Sequence, residues 1–302
     1  MNMFRLMTVL TLALPALARA AEEPARRPEA PPLLSHDELQ RRLNDAHLRL
    51  LDARSRANYE KGHIPGALWV DVQELQALTR PETLSDKDTW ARALAPLAID
   101  ETSEVYVYDD DRQHNAGRVW WQLSYAGVPR VGLIDGGFPL WVRERRPVNS
   151  ETVQVEPRTF AVSFHAKRAA SRDEVRSAIQ DNKVQIVDAR SAAEYRGEKK
   201  PQNGGRAGHI PTARLLDLYD LVDADGRFVS ADAQREQLAK AGIAPDRQII
   251  VYSHGGNRSA GVIFALRRLG IPARHYIGGL SDWASDPSAP VVEGAEAGRR
   301  AE

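Results

Sequence analysis

The chain of 302 residues has no cysteine. That absence excludes disulfides, thiolate metal sites, cysteine nucleophiles and protein persulfides together. An excess of charge of either sign is missing too, since 41 Lys and Arg face 41 Asp and Glu for a formal net charge of +0. No overall positive field is available to hold a nucleic-acid backbone or an anionic membrane, so nucleic acid is not an expected partner. Past the N-terminal segment, charged residues interrupt every apolar stretch before it reaches the ~20 residues of a spanning helix. Neither His63 nor His209 has a paired-histidine spacing such as His-x-x-x-His, so no metal is expected and both read as turn-bracing residues. No cofactor is expected either.

With 42% hydrophobic and 27% charged residues, the sequence is that of a packed globular protein, long enough for two domains without staples. Arg5, the apolar run 6–17 and Ala18-Arg19-Ala20 read as a secretory signal over 1–20, with small-x-small cleavage. A periplasmic or secreted protein with no membrane span after cleavage is the expectation. Pro24, Pro28, Pro31 and Pro32 among charges make 21–32 a flexible linker, and 295–302 reads as a disordered tail.

Between these ends the chain repeats itself. Leu50-Leu51-Asp52-Ala53-Arg54 returns as Ile186-Val187-Asp188-Ala189-Arg190, two apolar strands closing on the same Asp-Ala-Arg. Gly62-His63-Ile64-Pro65 returns as Gly208-His209-Ile210-Pro211, a turn with an isoleucine to anchor it. Val105-Tyr106-Val107-Tyr108 returns as Ile249-Ile250-Val251-Tyr252, a buried strand leading into a loop and then a helix. Gly136-Gly137 with Trp141 returns as Gly278-Gly279 with Trp283. The helices are predicted over 116–126, stopped by Gly127 and Pro129, and over the apolar stretch around Ala260 to Leu269, stopped by Gly270 and Pro272. Alternating strands and helices predict an α/β fold of parallel sheets, with a ligand site beyond the strand ends after Tyr108 or Tyr252. Trp120, Trp121, Trp141 and Trp283 read as core and interdomain packing.

Asp-Ala-Arg at a strand end, Gly-His-Ile-Pro, and a strand, loop and helix carrying Ser253-His254-Gly255-Gly256-Asn257-Arg258 resemble, in that order, the tandem-domain rhodanese or thiosulfate sulfurtransferase family. The insert over 195–206 is similar to the longer loop of its tandem members. The resemblance implies two rhodanese-like domains, each a parallel sheet flanked by helices: an N-terminal structural domain over 33–150, and a C-terminal domain over 151–294 bearing an active-site-type loop at 253–258. The family's loop runs Cys-x-x-Gly-x-Arg. Laid on this chain, the pattern puts Ser253 at the cysteine, Gly256 at the glycine and Arg258 at the arginine. Asp109 holds the equivalent place in the first copy, followed by Asp110 and Asp111, whose carboxylates are expected to repel a sulfur oxyanion.

A loop between a strand end and a helix start gathers unpaired N–H groups and the positive end of the helix dipole, which suits an anion. His254, Gly255, Gly256, Asn257, Arg258 and Arg190 are the candidate anion-binding residues; Asp188, Asp52 and Arg54 are read as structural. Arg258 can reach the ligand or brace the loop, and Arg54 and Arg190 can reach a ligand or bridge Asp52 and Asp188. Ser253 sits at the catalytic position without thiolate chemistry: its hydroxyl either bonds its own loop or contacts the anion. A serine-hydrolase pairing of Ser253 with His254 is disfavoured, because adjacent side chains in a tight loop seldom face each other. Lys199 and Lys200 read as solvated charges. Three functions remain open: a non-catalytic protein that binds a small sulfur oxyanion or a protein partner's group, a thiosulfate or 3-mercaptopyruvate-type sulfurtransferase with residual or unconventional activity, and a structural interaction module.

Overall fold

The computed structural model describes residues 30–201 and 205–296. The expected signal segment, most of the linker and most of the tail lie outside the described residues.

Two parallel sheets, built alike, form the frame. The first comprises β1 (Leu33–Leu34), β2 (Leu48–Asp52), β3 (Leu68–Trp69), β4 (Glu104–Tyr108) and β5 (Val131–Ile134), in the order β1-β5-β4-β2-β3. The second comprises β6 (Val184–Asp188), β7 (Arg214–Leu215), β8 (Gln248–Tyr252) and β9 (Ala273–His275), in the order β7-β6-β8-β9. Ala169 bridges β9 at the edge where β1 lies in the first sheet. Helices α1 (His36–Arg42), α2 (Arg56–Lys61), α3 (Val72–Ala77), α4 (Lys87–Leu94), α5 (His114–Ala126) and α6 (Gly137–Arg143) belong to the first unit. Those of the second are α7 (Arg172–Ala178), α8 (Ala192–Tyr195), α9 (Ala231–Lys240), α10 (Asn257–Arg268) and α11 (Gly279–Ser285).

The repeated blocks occupy equivalent places. Asp52 pairs with Tyr108 at the carboxyl ends of β2 and β4, as Asp188 pairs with Tyr252 at those of β6 and β8. Ile64 and Ile210 are fully buried and pin their turns to the core. Gly127, at φ 95°, ends α5 in the left-handed conformation that glycine adopts without strain.

Helices α5 and α10 do more than cover their own sheets. Residues 259–266 of α10 are buried without interruption, because the helix lies between its own sheet and α5 of the other unit. The close approach runs through two glycines: a Cβ on Gly117 would meet the Gly261 backbone nitrogen at 2.9 Å. Trp120 meets Phe264 edge-on, with ring centroids 4.9 Å apart. One hydrophobic cluster thereby joins Val105, Val107 and Trp120 to Val251, Ile263 and Phe264, which fixes the two domains against each other.

Candidate active-site-type loop

The frame of the site is a buried hydrogen-bond lattice at the strand ends. Tyr252 donates to Asp188 Oδ2 at 2.6 Å and accepts the Ile210 N–H at 3.1 Å. Arg190 grips the same carboxylate, with Nη2 2.6 Å from Oδ2, and donates to the Gly208 carbonyl at 2.7 Å. The first unit repeats the lattice with Tyr108, Asp52, Arg54 and Gly62. In both copies, then, the arginine bridges its aspartate and ties strand to turn. Burial pushes the Arg190 guanidinium down, but the Asp188 charge and hydrogen bond outweigh it and hold its pKa above the ordinary value. His209 braces the turn through Tyr195 O at 2.8 Å and Glu296 O at 3.1 Å, and stacks on Tyr195; His63 does the same with Tyr59 O and Glu151 O.

The loop 253–258 begins where β8 stops. Each of its first three carbonyls is turned away and held: Ser253 O by Leu280 N–H at 2.8 Å, His254 O by Ser281 N–H at 3.0 Å, and Gly255 O by Arg118. Gly256 takes φ 97°, where a Cβ would also strike Ile277 O at 2.8 Å, so this glycine is required. Gly255 has no such constraint, with nothing within 4 Å of a Cβ built there. The Gly256 N–H points inward and donates to Ser253 Oγ at 3.1 Å. Ser253 therefore bonds its own loop, while also lining a cleft of about 590 Å³.

Arg258 forks onto Glu194, at 2.6 and 2.8 Å. Burial pushes the Glu194 carboxyl up, but Arg258 and Ser191 pull it down to about 2. Arg258 thus braces the loop against α8 while its side chain still lines the cleft. Asn257 turns to the other domain, donating to Asn115 Oδ1 at 3.1 Å and accepting from Arg118 at 2.9 Å. Arg118 is 2% exposed, and burial lowers its pKa to about 10. Lys199 and Lys200, read from sequence as solvated charges, line the cleft with Arg190 and His254; Gln76 and His114 reach it from the N-terminal domain. Burial, then the Arg190 charge, lowers the pKa of His254. Four cationic side chains thus face the cleft with one carboxylate, Glu194, which Arg258 already occupies. Gln76, His114 and Arg118 left no signal in the sequence, since only the docking of the domains brings them here.

In the first unit the equivalent loop is occupied from within. The Asp109 carboxylate accepts the N–H groups of Asp111, Gln113, Asn115 and Ala116, at 3.1, 3.1, 2.8 and 2.9 Å. Burial nevertheless raises its pKa to about 6, against the pull of those bonds. The sequence reading had this carboxylate repelling an oxyanion; here it also fills the place where one would sit.

Fold and loop define a class: paired α/β domains in which a strand, a cradle loop and a helix form a cleft at the domain boundary. The Rhodanese-like domain profile matches residues 35–144 and 171–286, and the chain belongs to the rhodanese-like sulfurtransferase family. It is 30% identical over 269 residues to the 3-mercaptopyruvate sulfurtransferase of Escherichia coli K12, covering 84% of this chain and 95% of the relative. It is 32% identical over 277 residues to the sulfur carrier protein TtuD of Thermus thermophilus, covering 87% and 97%. Among solved structures, the E. coli 3-mercaptopyruvate sulfurtransferase SseA superposes with a TM-score of 0.73 at 28% identity, over 82% of this chain and 98% of that one.

Proposed function

We propose that this chain is an exported, rhodanese-like protein that binds a sulfur oxyanion in the loop 253–258 and does not turn over thiosulfate by persulfide chemistry. The observation that carries the reading is Ser253 at the head of a cradle whose first three carbonyls are held by other partners, in a chain with no cysteine. In a thiol-based cycle the loop's N–H groups and helix dipole stabilise a thiolate, which takes up sulfane sulfur. A serine hydroxyl stays protonated at neutral pH and forms no persulfide, whereas the donors around it suit an anion unchanged. The sulfurtransferase names of the relatives supply the ligand class, and the cationic cleft wall supports it.

Titration calorimetry of the full chain with thiosulfate, beside an assay of sulfur transfer to cyanide, tests the proposal. Millimolar-range binding with no transfer is expected; transfer by the parent chain, or no binding at all, contradicts it. Export rests on the run 6–17 and Ala18-Arg19-Ala20. N-terminal sequencing of exported protein is expected to start near Ala21, and intact Met1 on soluble cytosolic protein would contradict it.

A further inference from the structure

Arg118 stands behind the loop 253–258, does not line the cleft, and belongs to the other domain. Its Nη1 donates to Gly255 O and, at 2.9 Å, to Asn257 Oδ1, while its Nη2 donates to Thr79 Oγ1 at 2.9 Å. All three acceptors are uncharged. No carboxylate among the described residues forms an ion pair with it, and burial alone shifts its pKa, to about 10, which leaves it charged at neutral pH. The other cations near Ser253 differ. Arg190 carries Asp188 and Arg258 carries Glu194, each at 2.6 Å, so both charges are largely cancelled where they stand. Lys199 and Lys200 are exposed, where water and salt screen them. Arg118, 2% exposed, is an uncompensated cation in the low-dielectric interior, where a charge acts most strongly.

Its place serves neither the helix nor the repeat. Asn257 opens α10, so a cation held there opposes the positive end of that helix's dipole. The repeat that sets Gly261 against Gly117 sets Val262 against Arg118, so this charge backs one loop of the two; the other carries the Asp109 carboxylate at its head. The peptide between Gly255 and Gly256 passes the charge forward. A trans peptide directs its C=O and N–H to opposite sides, and with Gly255 O on Arg118 the Gly256 N–H faces Ser253 Oγ at 3.1 Å. Arg118 Nη1 lies 3.0 Å from the position a Cβ on Gly256 would take. The field reaches further still. Burial, and then the Arg118 charge, lower the pKa of His275, whose Nε2 is 2.7 Å from Ser259 Oγ, itself 3.1 Å from Ser253 Oγ.

We propose that Arg118 is a positioning residue for the bound anion: from the N-terminal domain it aims the Gly256 N–H at position 253 and sets the positive potential there, without touching the ligand. This rests on the anion-binding reading and adds to it the residue on which the site's affinity depends.

The test uses the full chain carrying Ser253→Cys, in which the introduced thiol is the only one, and follows thiolate absorbance against pH as a probe of the potential at that position. The neighbouring groups keep their charge over that range, with Glu194 at about 2 and His114, His254 and His275 all lowered from their ordinary value. Adding Arg118→Gln is expected to raise the midpoint of the thiol by about one pH unit, and adding Arg118→Lys to leave it within about 0.3 unit. In the chain with Ser253, calorimetry is expected to show sulfate binding weakened about tenfold by Arg118→Gln and less than about threefold by Arg118→Lys. Lys199→Gln with Lys200→Gln leaves Arg118 and its packing untouched, and is expected to move the thiol by less than about 0.3 unit. A midpoint unmoved by Arg118→Gln, or raised as far by Arg118→Lys, overturns the proposal, as does a shift of about a full unit on loss of the two lysines. Failure of sulfate to bind the parent chain overturns the anion-binding reading, and the thiol midpoint then still decides whether Arg118 sets the potential at position 253.

Discussion

Arg258 and Asp109 show how much of a side chain's role depends on what it meets. Arg258, which the resemblance puts at the family's arginine, closes its fork on Glu194 with side chains 15% and 17% exposed. That pairing lies between the exposed and the fully buried cases, so Arg258→Ala is expected to destabilise the chain by about 2 kcal/mol in denaturant unfolding. The same pair sets a pH signature. A carboxyl lowered from 4.5 to about 2 contributes stability above its unfolded value, and that stability is lost as pH falls through the interval. Arg258→Ala is expected to flatten this acid limb between about pH 4.5 and 2, and an unchanged limb would show that the pair does not act in solution. For Asp109 the sign is reversed: its raised pKa gives a contribution present below 3.8 that is lost as pH rises to about 6. Asp109→Ala leaves four backbone N–H groups without their carboxylate. A loss of about 2–4 kcal/mol is expected, and added sulfate should raise the melting temperature of this variant more than that of the parent. Equal shifts would mean that the emptied loop holds no anion.

At the scale of elements, the strands and turns were legible because each block appears twice with the same chemistry. The Asp-Ala-Arg ends, the Gly-His-Ile-Pro turns and the tyrosines closing β4 and β8 all fall where the repeat places them. Sequence left bracing and ligand contact open for Arg54 and Arg190, and no spacing rule could decide it. The deciding partners, Gly62 O and Gly208 O, come from turns that fold back onto the strand ends. The crossing of α5 and α10 was not legible either. Gly117 and Gly261 lie inside α5 and α10, and in an isolated helix replacement of such a glycine by alanine stabilises by about 0.5–1 kcal/mol. Here a Cβ on Gly117 meets backbone at 2.9 Å, so Gly117→Ala is expected to destabilise by about 1–3 kcal/mol instead. Chemical denaturation reads the sign directly, and a stabilised variant would refute the close crossing.

For the whole molecule, the site belongs to both domains. Arg118 of α5 holds Gly255 O and Asn257 Oδ1, while Gln76 and His114 line the cleft that Ser253 heads. The first domain, read from its sequence as structural, supplies a wall and an anchor to the second. Ser259 and His275 escaped the sequence reading for a related reason: sixteen residues and a change of element separate them, and only the packing of α10 on β9 brings them together. What the sequence showed most sharply was Ser253 at the position where the family resemblance puts a cysteine, in a chain that has none. The measurement that tests this most directly is mass spectrometry of the parent chain and of Ser253→Cys after treatment with thiosulfate. The account predicts one added sulfur on Ser253→Cys and none on the parent, since Gly256 N–H and Ser259 can stabilise a thiolate once there is one. Sulfur on the parent chain, or a reactive thiol in Ser253→Cys that takes up none, would contradict it.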